Sequence, residues 1–390
     1  MALLILNAGS SSLKFSLIDP GDLRVWKQET IDQGSGDDTD ERASELRATI
    51  ERVGEDASAL ARTDPAAAIA GVVHRVVHGG TRFTEPTRIT PDVRKALAEL
   101  SVLAPLHNPP SLRVIDAALD VLRDTPHVAV FDTAFHKTLI PESRTYPLPH
   151  EWSERWGLQR FGFHGLSHAY CSGRAAELMG HPPEGLNVVV AHLGNGASVT
   201  AVRDGQSIDT SMGFTPLEGL MMGTRSGSID PGLLLYLQRV CGVEVDELDR
   251  VLNHESGLLG VSGLSSDMRT VIEEADAGDT RASLAIRMFA YRARRAIGAL
   301  AVTLGRVDAL VFTGGIGEHS PRIRAAICDG LSCLGLQLDE AANLTSRPDA
   351  MVSAAGSPVR IFVLTSREDV AMARAAMSCL EPARTSDTRV

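Results

Sequence analysis

Apolar runs at residues 3–6 and 13–18 bracket the small-residue stretch Ala8-Gly9-Ser10-Ser11-Ser12, which predicts two strands joined by a tight turn. The pattern returns half a chain later. An apolar run at 187–193 leads into Gly194-Asn195-Gly196-Ala197-Ser198, and a second run at 199–203 stops at Asp204-Gly205. Two such units suggest two related α/β halves, although hairpins with glycine turns are common enough for the likeness to be chance. Apolar stretches at 70–77 and 127–132 alternate with helical patterns at 92–101 and 111–123. Further on, 281–304 reads as a long Ala/Arg helix, and 308–312 as a buried strand running into Thr313-Gly314-Gly315-Ile316-Gly317. The alternation predicts an α/β fold with mixed sheets. Residues 32–41 and the tail from Pro382 read as a loop and a frayed end. Pro141, Pro147 and Pro149 place a domain break near His150, giving an N-terminal domain over 1–149, rejoined by the chain after about 370, and a second over 150–369.

A chain of 390 residues can bury enough apolar surface to need neither disulfide nor structural metal. Its 38 basic and 49 acidic side chains leave a net charge of −11, which argues against nucleic acid and anionic membrane as partners because both want clustered cations. Only four residues are lysine: Lys14, Lys27, Lys95 and Lys137. An acidic chain can still hold an anion in a local basic cleft. The five cysteines include no CxxC pair, which points to a reducing, cytoplasmic setting. The N-terminal apolar run lacks a basic flank, and the run around Met288 to Val302 is broken by arginines, so neither a secretory leader nor a membrane span is expected.

No lysine follows a glycine, so a P-loop is excluded and any phosphate site must be built otherwise. The turns at 9–12, 194–198 and 314–317 each follow a strand, and glycines there let backbone N–H groups approach a phosphate; a plain hairpin is the alternative. In Gly71 to Gly80, a strand puts Arg75 and Val77 on one face and His74, Val76 and His78 on the other. A planar cation beside an apolar wall suits a small carboxylate with a short alkyl tail, while an arginine paired with an aspartate at a strand end is the blander reading. His74/His78 and His164/His168 are spaced for zinc on a helix, but β-branched residues oppose a helix at the first pair and the second lacks a third ligand. Asp132 ends an apolar strand, as a functional carboxylate or a helix cap. Arg225, between Gly223 and Gly227, sits in what reads as a flexible loop, either solvated or reaching a transferring phosphoryl group.

Taken together, Asn7 to Lys14, His74 to Gly80, Leu106-His107-Asn108-Pro109, Phe131 to His136, Gly162-Phe163-His164-Gly165, His192 to Gly196, Met212 to Gly227 and Thr313 to Glu318 resemble the acetate kinase family, in order from residue 2 to about 375. The resemblance implies two duplicated actin-like (ribonuclease H-like) domains, each a mixed five-stranded sheet flanked by helices, with a nucleotide cleft between them. It implies reversible, Mg²⁺-dependent transfer of the ATP γ-phosphoryl to acetate, giving acetyl phosphate and ADP, with Mn²⁺ as a possible replacement metal, by a homodimer.

Carried over position by position, the family's roles give Arg75 the acetate carboxylate, with Val77, Leu106, Phe163 and Pro216 around the methyl group. His164 and Arg225 stabilise the transferring phosphoryl, Asp132 is the catalytic carboxylate, and Asn7 and Glu368 place the metal. Lys14 contacts phosphate. His192, Leu193, Gly194, Asn195, Gly196, Asp267, Met268, Arg269, Gly315, Ile316, Gly317, Glu318 and His319 surround the nucleotide. Acetate is ionised at neutral pH, so Asp132 is expected to orient rather than to remove a proton. Leu166, Ser228 and His319 depart from the family's usual Thr, Asp and Asn, and Thr365-Ser366-Arg367-Glu368-Asp369 replaces a usual Thr-Asn-Glu-Glu type segment, in which Glu368 aligns with the metal-linked glutamate when no gap is opened. Propionate or butyrate kinase, a sugar kinase and a non-enzymatic ATP switch are the competing readings; the last would lack the Arg75–Val77 and His164–Arg225 pairs, and a sugar site would be polar.

Overall fold

The computed structural model describes residues 2–9, 12–32 and 39–380. Ser10 and Ser11 of the first glycine turn, residues 33–38 and the tail after Leu380 lie outside them. The chain forms two compact units, one from the N-terminus to Phe135 together with the chain from Arg367, the other His136–Ser366. The break falls before the proline cluster because the segment after His136 hydrogen-bonds to strand residues of the second unit. His136 reaches Ser207, Thr138 donates to the Ser207 carbonyl and Ser143 to Asp209.

Unit 1 holds strands β1 (Ala2–Ala8), β2 (Ser12–Ile18), β3 (Val25–Asp32), β4 (Ile69–Val76), β5 (Thr87–Arg88) and β6 (His127–Phe131), in the order β3-β2-β1-β4-β6-β5. Unit 2 repeats this with β7 (Asn187–Leu193), β8 (Ala197–Arg203), β9 (Gln206–Thr210), β10 (Ala309–Thr313), β11 (Ala350–Met351) and β12 (Arg360–Val363), in the order β11-β12-β10-β7-β8-β9. Each sheet is an antiparallel three-strand meander joined to parallel strands. The duplication inferred from the two hairpins is therefore one of topology. Each sheet has six strands rather than five; the sixth is a two-residue edge strand, too short to leave an alternating pattern in the sequence.

β1 is buried on both faces, as its unbroken apolar run requires of a strand with helices on either side. Leu46, Ile50 and Val53 of the helix Thr39–Ala61, and Val114, Ala117 and Ala118 of the helix Asn108–Val121, cover Leu4, Leu6, Phe15 and Val72 on one face. Residues 39–41 begin that first helix and Asp32 ends β3, so the expected loop at 32–41 is shorter at both ends. The third glycine turn is likewise a helix start, Gly314–His319.

Candidate active site

In unit 1 the chemistry collects at the carboxyl ends of β1, β4 and β6, where Asn7, Arg75 and Asp132 stand on neighbouring strands. Arg75 Nε and Nη2 donate to the two Asp132 carboxylate oxygens at 3.0 and 2.5 Å, and Nη1 donates to Asn7 Oδ1 at 3.1 Å. Asn7 Nδ2 donates to Glu368 Oε2 at 2.9 Å across 361 residues of sequence. The aspartate pairing foreseen as the blander reading is thus real, yet it does not exhaust the guanidinium. Of its five N–H donors, three are used by described residues, and two remain for a carboxylate. Burial works to lower the Arg75 pKa, but the Asp132 and Glu368 carboxylates outweigh it and hold the guanidinium charged. Burial pushes the Asp132 carboxyl up while Arg75 pulls it back. Lys14 is exposed and stands opposite Asn7 in the β1–β2 register.

The neighbouring motifs brace this end of the sheet. Asn108 accepts from His78 N and donates to its carbonyl, both at 3.1 Å, and Gly79 N donates to Thr133 Oγ1. A side chain on Gly79 would stand 2.2 Å from the Phe83 carbonyl, which is why glycine is needed there. Val77 is buried just past β4, and Leu106 is exposed. His74 is on a strand and pairs with His127 at 2.9 Å. Among the described residues no group of three or more His, Cys, Asp or Glu is placed to hold a metal ion. The oxygens of Asn7 and Glu368 are hard donors, of the kind suited to a hydrated divalent ion that leans on substrate phosphates rather than on a protein cage.

In unit 2, His164 has a left-handed backbone (φ 57°) and opens the helix Gly165–Met179. Its ring stacks on His192 with centroids 4.3 Å apart. A Cβ added to Gly196 would lie 3.2 Å from His164 Nε2 and 3.7 Å from Arg225 Nη1, so histidine and arginine converge on that glycine. Burial lowers the Arg225 pKa, and its Nη1 lies 4.0 Å from the Met222 sulfur.

The loop carrying Arg225 is not flexible. Thr224 Oγ1 donates to the Asn253 carbonyl, Ser226 N to that of Leu252, and Ser256 N to that of Thr224. A side chain on Gly257 would meet the Met222 carbonyl at 2.2 Å. The glycines serve close backbone approach here, not mobility. Ser228 accepts from Gly219 N at 3.0 Å, a bond the family's usual aspartate can also make. Phe163 is fully buried within unit 2, and Pro216 is half-buried.

A hollow of about 850 Å³ in unit 2 is lined by Gly194, Asn195, Asp267, Met268, Arg269, Gly315, Ile316 and His319, eight of the residues carried over for the nucleotide. That volume is in the range of small-molecule and cofactor pockets. Asp267 caps the helix Met268–Asp276, accepting from Arg269 N at 2.9 Å, and its carboxylate also takes the Arg269 guanidinium, which lowers its pKa. The sequence reading missed Ser266, Ile272, Glu273, Ser320, Pro321 and Arg322 on the same walls. Ile272 was findable, standing one helical turn after Met268.

His192, Leu193, Gly196, Gly317 and Glu318 are not on the walls of the hollow. Glu318 braces them, its Oε1 accepting from Gly314 N and Ser366 N at 3.1 Å each. Arg324, fully buried, gives all five donors to neutral acceptors and holds the carbonyls of Gly317 and Glu318. A second hollow of about 880 Å³ in unit 1, along the helix Thr39–Ala61, holds none of the candidate residues.

The acetokinase family's sequence pattern matches residues 2–374. The chain belongs to that family. An acetate kinase of Synechococcus sp. (strain JA-2-3B'a(2-13)) is 46% identical over 98% of this chain and 100% of its own length. Among solved structures, Porphyromonas gingivalis acetate kinase aligns with a TM-score of 0.85 at 34% identity, over 97% of this chain and 100% of that one. A propionate kinase from Francisella tularensis subsp. tularensis aligns at 0.83 and 36% identity, over 96% and 98%. Membership makes this chain a kinase, a phosphotransferase of the acetate kinase type, and brings with it a requirement for a divalent metal. No helix among the described residues is long and apolar enough to cross a membrane.

Proposed function

We propose that this kinase transfers the γ-phosphoryl group of ATP to acetate, with Mg²⁺, and that the observation carrying the reading is the Arg75 fork. Asp132 and Asn7 hold the guanidinium by three of its donors, and the two left over take the acetate carboxylate end-on. Val77 and Leu106 of unit 1 and Phe163 and Pro216 of unit 2 are the apolar residues assigned to the short tail.

Acetate is ionised well above its pKa of roughly 4–5 and needs no base. An acetate oxygen forms the new bond to Pγ while the bond to the β–γ bridging oxygen breaks, its electron pair leaving with ADP. His164 and Arg225 meet the equatorial oxygens, where charge stabilisation and positioning carry most of the catalysis. Asn7 and Glu368 would hold the Mg²⁺ ion, which would neutralise phosphate charge. Asp267, Met268, Arg269, Gly315, Ile316 and His319 enclose the nucleoside end, and Lys14, Asn195 and Gly196 serve the phosphates.

The five cysteines are free thiols, in keeping with a cytoplasmic location. A homodimer is favoured by the helix Pro231–Arg239, which buries none of its residues and exposes Leu233, Leu235 and Tyr236. Light scattering on the purified chain checks the dimer. The activity is tested by trapping acyl phosphate with hydroxylamine while offering ATP, Mg²⁺ and acetate, propionate, butyrate or glucose. Hydroxamate from acetate supports the reading; none from any acid overturns it, and a preference for propionate moves the substrate one carbon longer.

A further inference from the structure

Behind the stacked histidines one hydroxyl serves two rings. Ser198 on β8 is fully buried, with Oγ 2.9 Å from His164 Nδ1 and 2.7 Å from Nε2 of His168, one turn along the same helix. His168 is fully buried as well, and its Nδ1 has no hydrogen-bond partner among the described residues. Burial, with the neighbouring His136 and His192 adding to it, holds its pKa well below the usual histidine value, so the ring is neutral. The rings facing it are His136, His192 and His164, at 5.8, 6.4 and 6.5 Å between centroids.

A hydroxyl has one proton to give and a neutral imidazole has one N–H. If Ser198 donated to His168 Nε2, His168 would carry its own proton on Nδ1, leaving a buried N–H donor without an acceptor. If His168 donates from Nε2 to Ser198, only an Nδ1 lone pair goes unmatched, and orphaned acceptors are tolerated better than orphaned donors. Ser198 then turns its own proton to His164 Nδ1. With Nδ1 accepting that proton, rather than giving a second N–H to the serine oxygen, His164 carries its own proton on Nε2, the nitrogen directed toward Gly196 and Arg225.

The geometry points to Ser198 and His168 as positioning residues that lock His164 in its Nε2–H tautomer, so that a neutral ring offers the phosphoryl group a hydrogen-bond donor. Two nearby rings follow the same logic. His136 Nε2 donates to the Phe163 carbonyl at 3.0 Å, which can only accept, and so pins the residue before His164. Ser366 donates to Ser167, whose hydroxyl is 2.8 Å from His192 Nδ1 and, by donating there, would leave that ring protonated on Nε2 as well. The inference rests on the kinase reading for its catalytic meaning, but the tautomer is measurable without it.

The test is a long-range ¹H–¹⁵N spectrum of the full chain labelled at histidine nitrogens, with His164 assigned by its disappearance in His164→Asn. The wild type is expected to show His164 protonated on Nε2 with Nδ1 hydrogen-bonded and bare. Ser198→Ala should give a mixture of tautomers and lower kcat about tenfold, one hydrogen bond's worth. The KM values for acetate and ATP should stay within about twofold, and Ser198→Thr, which keeps the hydroxyl, should restore both tautomer and rate. A wild-type His164 protonated on Nδ1 overturns the relay even if no variant folds, as does a Ser198→Ala protein with an unchanged spectrum. Absence of hydroxamate from the wild type would sink the kinase reading and leave the spectrum to decide the tautomer by itself.

Discussion

Replacing Asp132 by Asn separates an orienting carboxylate from a catalytic base. The side chains of Asp132 and Arg75 are 1% and 15% exposed, and two bonds at 3.0 and 2.5 Å join them. Asparagine keeps one acceptor but turns an NH₂ group toward a guanidinium that has only donors, so one charge-assisted bond is lost and the cation loses its counter-charge. Removing one partner of a buried pair costs roughly 3–5 kcal/mol. Glu368 remains near Arg75 and supplies some compensation, which puts the expectation at the lower end, about 3 kcal/mol. For a unit of this size that is a fall in Tm of roughly 6–12 °C.

Because the fork that receives acetate is then no longer held, KM for acetate should rise about tenfold, the equivalent of 1.4 kcal/mol in binding. The shape of kcat against pH should not change, since no proton is removed from acetate. Differential scanning calorimetry and the hydroxamate assay between pH 6 and 8 measure both. A variant with wild-type Tm and KM would show that Asp132 does not hold Arg75. An altered pH profile at unchanged KM would restore it as a base.

Arg225→Ala should lower kcat by about 10²-fold, the loss of one transition-state charge contact, and a near-normal kcat would remove Arg225 from the chemistry. Gly223→Ala places a Cβ 1.9 Å from Asn195 Oδ1 and 3.3 Å from the Ser266 carbonyl, both residues of the unit 2 hollow; KM for ATP should rise about tenfold with acetate KM unmoved. Acid should destabilise the fold, because burial holds His136 down at about 4, and His74 and His168 well below the ordinary value of 6.5. Such groups bind protons in the unfolded chain first, so stability is full above pH 6.5 and falls below it, by roughly 3 kcal/mol for His136 alone by pH 4. Urea midpoints that stay flat from pH 7.5 to 5 would contradict this. Ser228→Asp should leave stability within about 0.5 kcal/mol and activity unchanged, since either side chain can accept from Gly219 N.

Local pattern determined much of this protein. Apolar runs fixed the central strands, since a strand covered on both faces must be apolar throughout. Glycine turns after strands marked two of the backbone approaches, and the dispersed motifs named the family with Arg75, His164 and Arg225 in it. The two-residue edge strands left no periodicity to find. Tertiary structure alone decided the partnerships. Asn7 meets Glu368 across the whole chain, and Arg75 gives two of its donors to Asp132 and one to Asn7, which leaves two for a ligand. The glycines around Arg225 turned out to permit close packing, which the sequence cannot distinguish from looseness because glycine serves both. Ser198 was legible only as the end of a glycine turn: a serine in a strand becomes a relay only when two imidazoles, 34 and 30 residues away, arrive within hydrogen-bonding reach of one oxygen. Distance and direction between side chains set that chemistry, and neither is a property of residue order.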